Sequence, residues 1–138
     1  MDSKDINLAG TMLVKSLSEI EELAEEIMAD KEQIKNLDQR RNANREALNA
    51  MKKCKGEGSS NKSWMCLGGM FIKYPTANIS QILLKDQTEL DSEIKNVRDG
   101  LKKKVSKLHQ MEGTDAPKGF GLTALSKDEL STLAVTKE

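Results

Sequence analysis

The sequence predicts a mainly α-helical chain: an antiparallel two-helix coiled coil with one central β-hairpin and a C-terminal tail. Three observations carry this expectation. Apolar residues recur every seven positions along two long stretches that contain no proline. Between them lie two short apolar runs split by Gly68-Gly69. Charge is segregated along both stretches in the same sense, which suits a chain folded back on itself. Composition agrees, since 32% of the 138 residues are charged and only 3% are aromatic. Such a chain lacks the material for a compact globular core and suits long exposed helices that bury a narrow seam.

In the first stretch, Leu13, Ile20, Ile27, Ile34 and Leu48 form one heptad line, interrupted by Arg41. Three residues later runs a weaker companion line of Leu23, Leu37 and Met51, interrupted by Ser16, Asp30 and Asn44. Leu17 and Ala24 widen the seam toward its start. With Gly10 as its only glycine, this pattern predicts a helix over about 5–54. The glycines and short polar residues from Lys55 to Asn61 then end it. Trp64, Met65, Cys66 and Leu67 form the first apolar run and Met70, Phe71 and Ile72 the second, so a hairpin is expected at about 63–74. Its turn uses the positive φ angles that glycine tolerates, and Pro75, which has no N–H to donate, closes the second strand.

A second helix is expected at about 79–111, with Ile94, Leu101 and Leu108 on one line. Leu83, Leu90, Val97 and Met111 lie on the other, interrupted by Lys104. Gly100 inside it costs about 1 kcal/mol relative to alanine. Residues 1–111 thus read as one domain. In 112–138, Gly113, Pro117, Gly119 and Gly121 mark a linker. Ser126-Lys127-Asp128-Glu129 then has the form of a capping box ahead of Leu130 and Leu133, predicting a short docked helix at 126–135.

Charge selects the pairing. Glu19, Glu21, Glu22, Glu25, Glu26 and Asp30 make the early part of the first helix acidic, and Arg40, Arg41, Arg45, Lys52 and Lys53 make its end basic. The second helix repeats the order, with Asp86, Glu89, Asp91 and Glu93 before Lys95, Arg98, Lys102, Lys103, Lys104 and Lys107. Folding back at Gly68-Gly69 brings acid to base at both ends. It also sets Leu48 near Leu83, Ile34 between Val97 and Leu101, and Ile27 near Val105. A parallel homodimer would oppose like charges instead.

The same inventory excludes function classes. Lys+Arg and Asp+Glu balance at 22 each, with a pI near 6.6, so no global field attracts nucleic acid or an anionic membrane. The basic run Lys102-Lys103-Lys104 with Lys107 lacks interleaved aromatics and is matched within the chain. No phosphate-cradling glycine motif is present, and His109 has no orienting acid nearby and reads as a solvated surface group, so neither catalysis nor a cofactor is expected. Cys54 and Cys66 with that one histidine cannot complete a four-ligand zinc site, and the simpler reading of Cys66 is a buried apolar role on its strand. The start lacks a signal-peptide layout, and the apolar run from Ser63 to Ile72 is too short to span a bilayer. The expectation is a soluble protein of a reducing compartment, cytoplasmic or also nuclear.

A basic helix end, an apolar strand, a glycine turn, the strand Gly69-Met70-Phe71-Ile72-Lys73 and a second heptad helix together resemble the β-type prefoldin subunits. One hairpin between two helices marks the β class, because α-type subunits carry two. Within that set the chain is most similar to the DNA damage-regulated prefoldin-like family. The likeness rests on Glu21-Glu22-Leu23-Ala24-Glu25-Glu26, Ala29-Asp30-Lys31, Leu37-Asp38, Arg41-Asn42, Asn44-Arg45-Glu46, Lys85-Asp86-Gln87 and Asp128-Glu129-Leu130. It implies a non-enzymatic subunit of a prefoldin-like chaperone hexamer, with other prefoldin and prefoldin-like subunits as partners. It further implies association with the RuvB-like ATPase co-chaperone assembly, RNA polymerase subunits and non-native client proteins. On this likeness Trp64, Met65, Cys66, Leu67, Met70, Phe71 and Ile72 form the assembly hairpin. Leu8, Met12, Leu17 and Met111 then lie at the client-holding ends. The competing class is a coiled-coil tether that self-associates. The hairpin separates the two, since a tether needs only helices and an isolated two-stranded hairpin is marginal in water.

Overall fold

The computed structural model describes residues 2–54, 61–115 and 124–135. In chain order these form α1 (Ser3–Lys53), β1 (Lys62–Leu67), β2 (Met70–Pro75), α2 (Thr76–Glu112) and α3 (Lys127–Val135). α1 and α2 lie side by side and antiparallel, joined by the two-stranded β1-β2 sheet, in agreement with the fold class that the heptads predict. The glycine-rich stretch 55–60 and the linker residues Pro117, Gly119 and Gly121 fall outside the described residues.

α1 spans 51 residues, about 77 Å at 1.5 Å per residue. It ends at Cys54, whose N–H bonds the Ala50 carbonyl. Gly68 (φ 54°) and Gly69 (φ 83°) make the whole turn between the strands. Two successive positive φ angles match the right-handed twist of paired strands, so the turn pins the register Leu67↔Met70, Met65↔Ile72 and Trp64↔Lys73. α2 begins at Thr76, three residues earlier than the heptads suggest. Pro75 is both the last strand residue and the cap of α2, and the Thr76 N–H donates to the Asn61 carbonyl at 2.9 Å, so no loop intervenes. Gly113, at φ 70°, closes α2 in the left-handed conformation that favours glycine, and Thr114 N–H reaches back to the His109 carbonyl.

Leu23, Ile27 and Leu101 are buried together, with Ile34, Val105, Leu108 and Met111 packed around them. Toward the hairpin the buried residues are Leu90, Ile94 and Ile79, of which Leu90 is the most enclosed at 2% exposure. Ile20, Leu37, Leu48, Leu83 and Val97 are half-buried along the same seam. Leu13 departs from the expected seam, being 62% exposed. The register explains this: Met111, one residue from the end of α2, lies beside Glu19 and Leu23, so among the described residues nothing faces the earlier turns of α1. Residues 3–17 form a single-helix overhang about 22 Å long.

Most polar interruptions of the seam are paired across it. Lys104 reaches Asp30 at 2.8 Å and Glu26 at 3.3 Å. Arg41 bonds Asp91 at 3.0 Å and also Asp38, while Arg40 and Asn44 converge on Asp86. The hydrogen bond it donates to Asp91 raises the Arg41 pKa most, and the one donated to Asp30 does so for Lys104, against the partial desolvation of each cation. Such exposed pairs add little stability singly, but a slip along the seam breaks all of them, so they fix register.

Two further expectations are corrected. α3 forms with its capping box closed, Ser126 N–H to Glu129 Oε2 at 2.8 Å and Glu129 N–H to Ser126 Oγ at 3.3 Å. Yet among the described residues it touches no other element, so it is not docked. A capping box closes within one turn and carries no information about what the helix packs against. His109 is half-buried at the end of α2, its Nδ1 2.8 Å from Thr114 Oγ1, so it helps close the helix end and is not a freely solvated group.

Candidate functional site

The hairpin is where chemistry and exposure coincide. Strand alternation places Trp64, Cys66, Phe71 and Lys73 on one face, and Ser63, Met65, Leu67, Met70, Ile72 and Tyr74 on the other. The second face is partly covered near its base, where Ser63 and Met65 are half-buried and Ser63 Oγ lies 2.8 Å from Thr76 Oγ1. Among the described residues nothing covers the first face. Phe71 is 73% exposed and Trp64 is 67% exposed, the latter with the Lys73 ammonium 5.9 Å from its ring centre. Met70 and Leu67 at the turn are exposed too.

Cys66, expected to be buried, is exposed. A two-stranded sheet brings no layer of its own to cover that side. Both outer edges of the sheet also lack a neighbouring strand among the described residues, leaving backbone donors and acceptors available to another chain. The hairpin residues picked out in the sequence are therefore brought together as one small apolar platform at the pole of the molecule where the chain turns.

The opposite pole is built differently. Met111 packs onto Leu23 and borders a groove of about 290 Å³ whose other walls are Glu19, Glu22, Glu26 and Lys107. Leu8, Met12 and Leu17 stand beyond α2 on the overhang, exposed, so the residues expected at the client-holding ends are not gathered into one pocket. Ile6 and Val14 share that exposure and were missed, as was buried Ile79. Ile79 lies off both heptad lines, and only its place just after Pro75 could have marked it. Of the acidic partners, Asp86 and Asp91 stood out in the sequence as members of an acidic block, whereas Asp38 fell in neither charged block of α1.

Among the described residues no group of His, Cys, Asp and Glu is arranged to hold a metal ion, and no helix is long and apolar enough to cross a membrane. No protein-family model matches the chain, and no solved structure matches it. Similar curated proteins do exist, all named p53 and DNA damage-regulated protein 1. The Homo sapiens protein is 45% identical over 123 residues, which cover 89% of this chain and 91% of the human one. The Bos taurus protein is 44% identical and the Mus musculus protein 43% identical, each over the same shares.

Proposed function

Because the chain belongs to the family of p53 and DNA damage-regulated protein 1, with the match covering 89% of its length, we propose that it is a non-enzymatic subunit of a prefoldin-like chaperone or co-chaperone hetero-oligomer. In this reading the hairpin joins strands of neighbouring subunits, and the far pole meets non-native or assembling proteins. The observation that carries it is the uncovered hairpin. Trp64 and Phe71 face water on one side, Met70 and Leu67 on the other, and the strand edges are open. Surface of this kind is retained where a partner covers it. The family resemblance names the partners: other prefoldin and prefoldin-like subunits, and through them the RuvB-like ATPase assembly and RNA polymerase subunits, in cytoplasm or nucleus. Regulation by p53 and DNA damage, which the relatives' name states of them, is carried over in the same way.

Phe71 and Ile72 point to opposite faces of β2, so Phe71→Asp with Ile72→Asp charges both at once. Each change removes about 1.5–3 kcal/mol of apolar burial in an assembled state and adds a desolvation cost. The expected outcome is loss of co-purification with prefoldin-type subunits at unchanged helical circular dichroism. A double variant that still assembles, or that loses its helices, refutes the role. The second reading, a self-associating coiled-coil tether, draws on the exposed overhang of α1. It requires the purified chain to form oligomers alone, whatever the state of the hairpin.

A further inference from the structure

The early part of α1 changes character at one point. Up to Leu17 it presents apolar side chains to water, with Ile6, Leu8, Met12, Leu13, Val14 and Leu17 each more than half exposed. One heptad further on the same lines of the helix are acidic, Glu19 following Met12 and Glu21 following Val14. Glu19, Glu21, Glu22 and Glu25 are all exposed. Among the described residues none of the four makes an ion pair, while Lys104 is taken by Glu26 and Asp30 and Lys102 by Asp99. An apolar patch thus ends in a collar of carboxylates that no cation of this chain neutralises directly.

The groove at the end of α2 lies where patch and collar meet. Leu23 and Met111 give it an apolar lining, and Glu19, Glu22 and Glu26 set three carboxylates around it against one cation, Lys107. A lysine or arginine side chain suits such a place, its stem against Leu23 and Met111 and its head among the carboxylates. Leu13 and Leu17, one turn apart, supply the kind of anchor that an amphipathic helix packs on. A second copy of this chain fits poorly. Laid parallel it sets collar against collar, and laid antiparallel it brings Asp2 and Asp5, with Lys4 as the one lysine beside them, toward the same collar.

We propose that the overhang and the groove at its foot form one docking surface for a basic amphipathic helix of a partner protein, its apolar face on Leu13 and Leu17 and a lysine or arginine in the groove. This rests on the reading of the far pole as the end that meets other proteins, and it names the chemistry that pole selects. Because the overhang continues a helix already held by α2, little ordering cost falls on this side of the contact.

A labelled helical peptide of leucine and lysine, and its twin with glutamate in place of every lysine, test the proposal by fluorescence anisotropy on the full chain. The lysine peptide is expected to bind about tenfold or more tightly than the glutamate one, and Glu19→Lys with Glu22→Lys should erase that preference. Leu13→Asp with Leu17→Asp should weaken binding of the lysine peptide at unchanged helical circular dichroism, since neither residue is in the buried seam. Phe71→Asp with Ile72→Asp should leave binding as it is, which keeps this result separate from the fate of the assembly reading. Equal affinity for the two peptides, or no binding of either, overturns the proposal. So does binding that survives the Leu13 and Leu17 changes or is lost with the hairpin ones, because the peptide then sits elsewhere. A chain that self-associates until Leu13 and Leu17 are changed has a second copy as its occupant, and one that takes the peptide only after removal of residues 115–138 has its own tail there; either outcome refutes a basic partner helix.

Discussion

Glycine plays opposite parts at two places in this chain. At Gly100, within α2, a Cβ would meet no atom within 4 Å, and the backbone is helical. Gly100→Ala is therefore expected to stabilise the fold by about 0.5–1 kcal/mol, mostly by restricting the unfolded chain, read as a higher thermal midpoint. At Gly69 the space is equally open, but φ is 83°. Gly69→Ala should destabilise the hairpin by about 1–2 kcal/mol. If both changes move the midpoint in the same direction, the turn geometry is not as described. Side-chain type revealed much at this scale and direction very little. Asp30, Arg41 and Asn44 are visible as breaks in a heptad line, but only the fold shows that Lys104, Asp91 and Asp86 meet them. Cys66 has the composition of a core residue and lies on a strand, and nothing local says that its face lacks a second layer.

Between α1 and α2 the interruption at Lys104 behaves as a latch of stated charge. Its pKa is raised, chiefly by the hydrogen bond to Asp30. A cation whose pKa is higher folded than unfolded contributes its stability in full below the ordinary lysine value of 10.5 and loses it as the pH rises through the raised one. The melting-temperature gap between the natural chain and Lys104→Met should thus be constant around neutral pH and close above about pH 10.5. In a cycle with Asp30→Asn, coupling should appear at low salt and fade at high salt. A gap unchanged at alkaline pH removes the latch from the account. The helices, their antiparallel sense and the two-glycine turn were legible because heptad spacing, charge order and glycine chemistry are local signals that agree. The overhang was not, since heptads run on past the point where the partner ends: Leu13 carries the same signal as Ile27, and only the length of α2 distinguishes them.

For the molecule as a whole, most of the exposed large apolar residues gather at the two poles, the hairpin at one and the overhang at the other, with Met28, Ile82 and Leu84 exposed between them. Which pole meets which protein is not written in any periodicity, because heptads report only contacts made within the helix pair. The partners proposed for the hairpin rest on the order of short sequence pieces, which is information about descent and not about packing. The antiparallel arrangement also orders events in time. Asn44 and Asp86 are 42 residues apart in the chain and meet on the hairpin side of the seam, whereas Gln33 and Glu93, further from the hairpin, are 60 apart. Each pair formed shortens the loop that the next must close, so folding runs as a zipper from the glycine turn outward, with the closure entropy met mainly at its start. Truncating Leu48 or Leu83 should then slow refolding, while Leu23→Ala, at the far end of the seam, should leave refolding nearly unchanged and speed unfolding. Stopped-flow rates in which Leu23→Ala slows refolding as much as Leu83→Ala would mean that the two ends of the seam close together. In kinetic terms the far pole is the last part of the pair to form and the first to open.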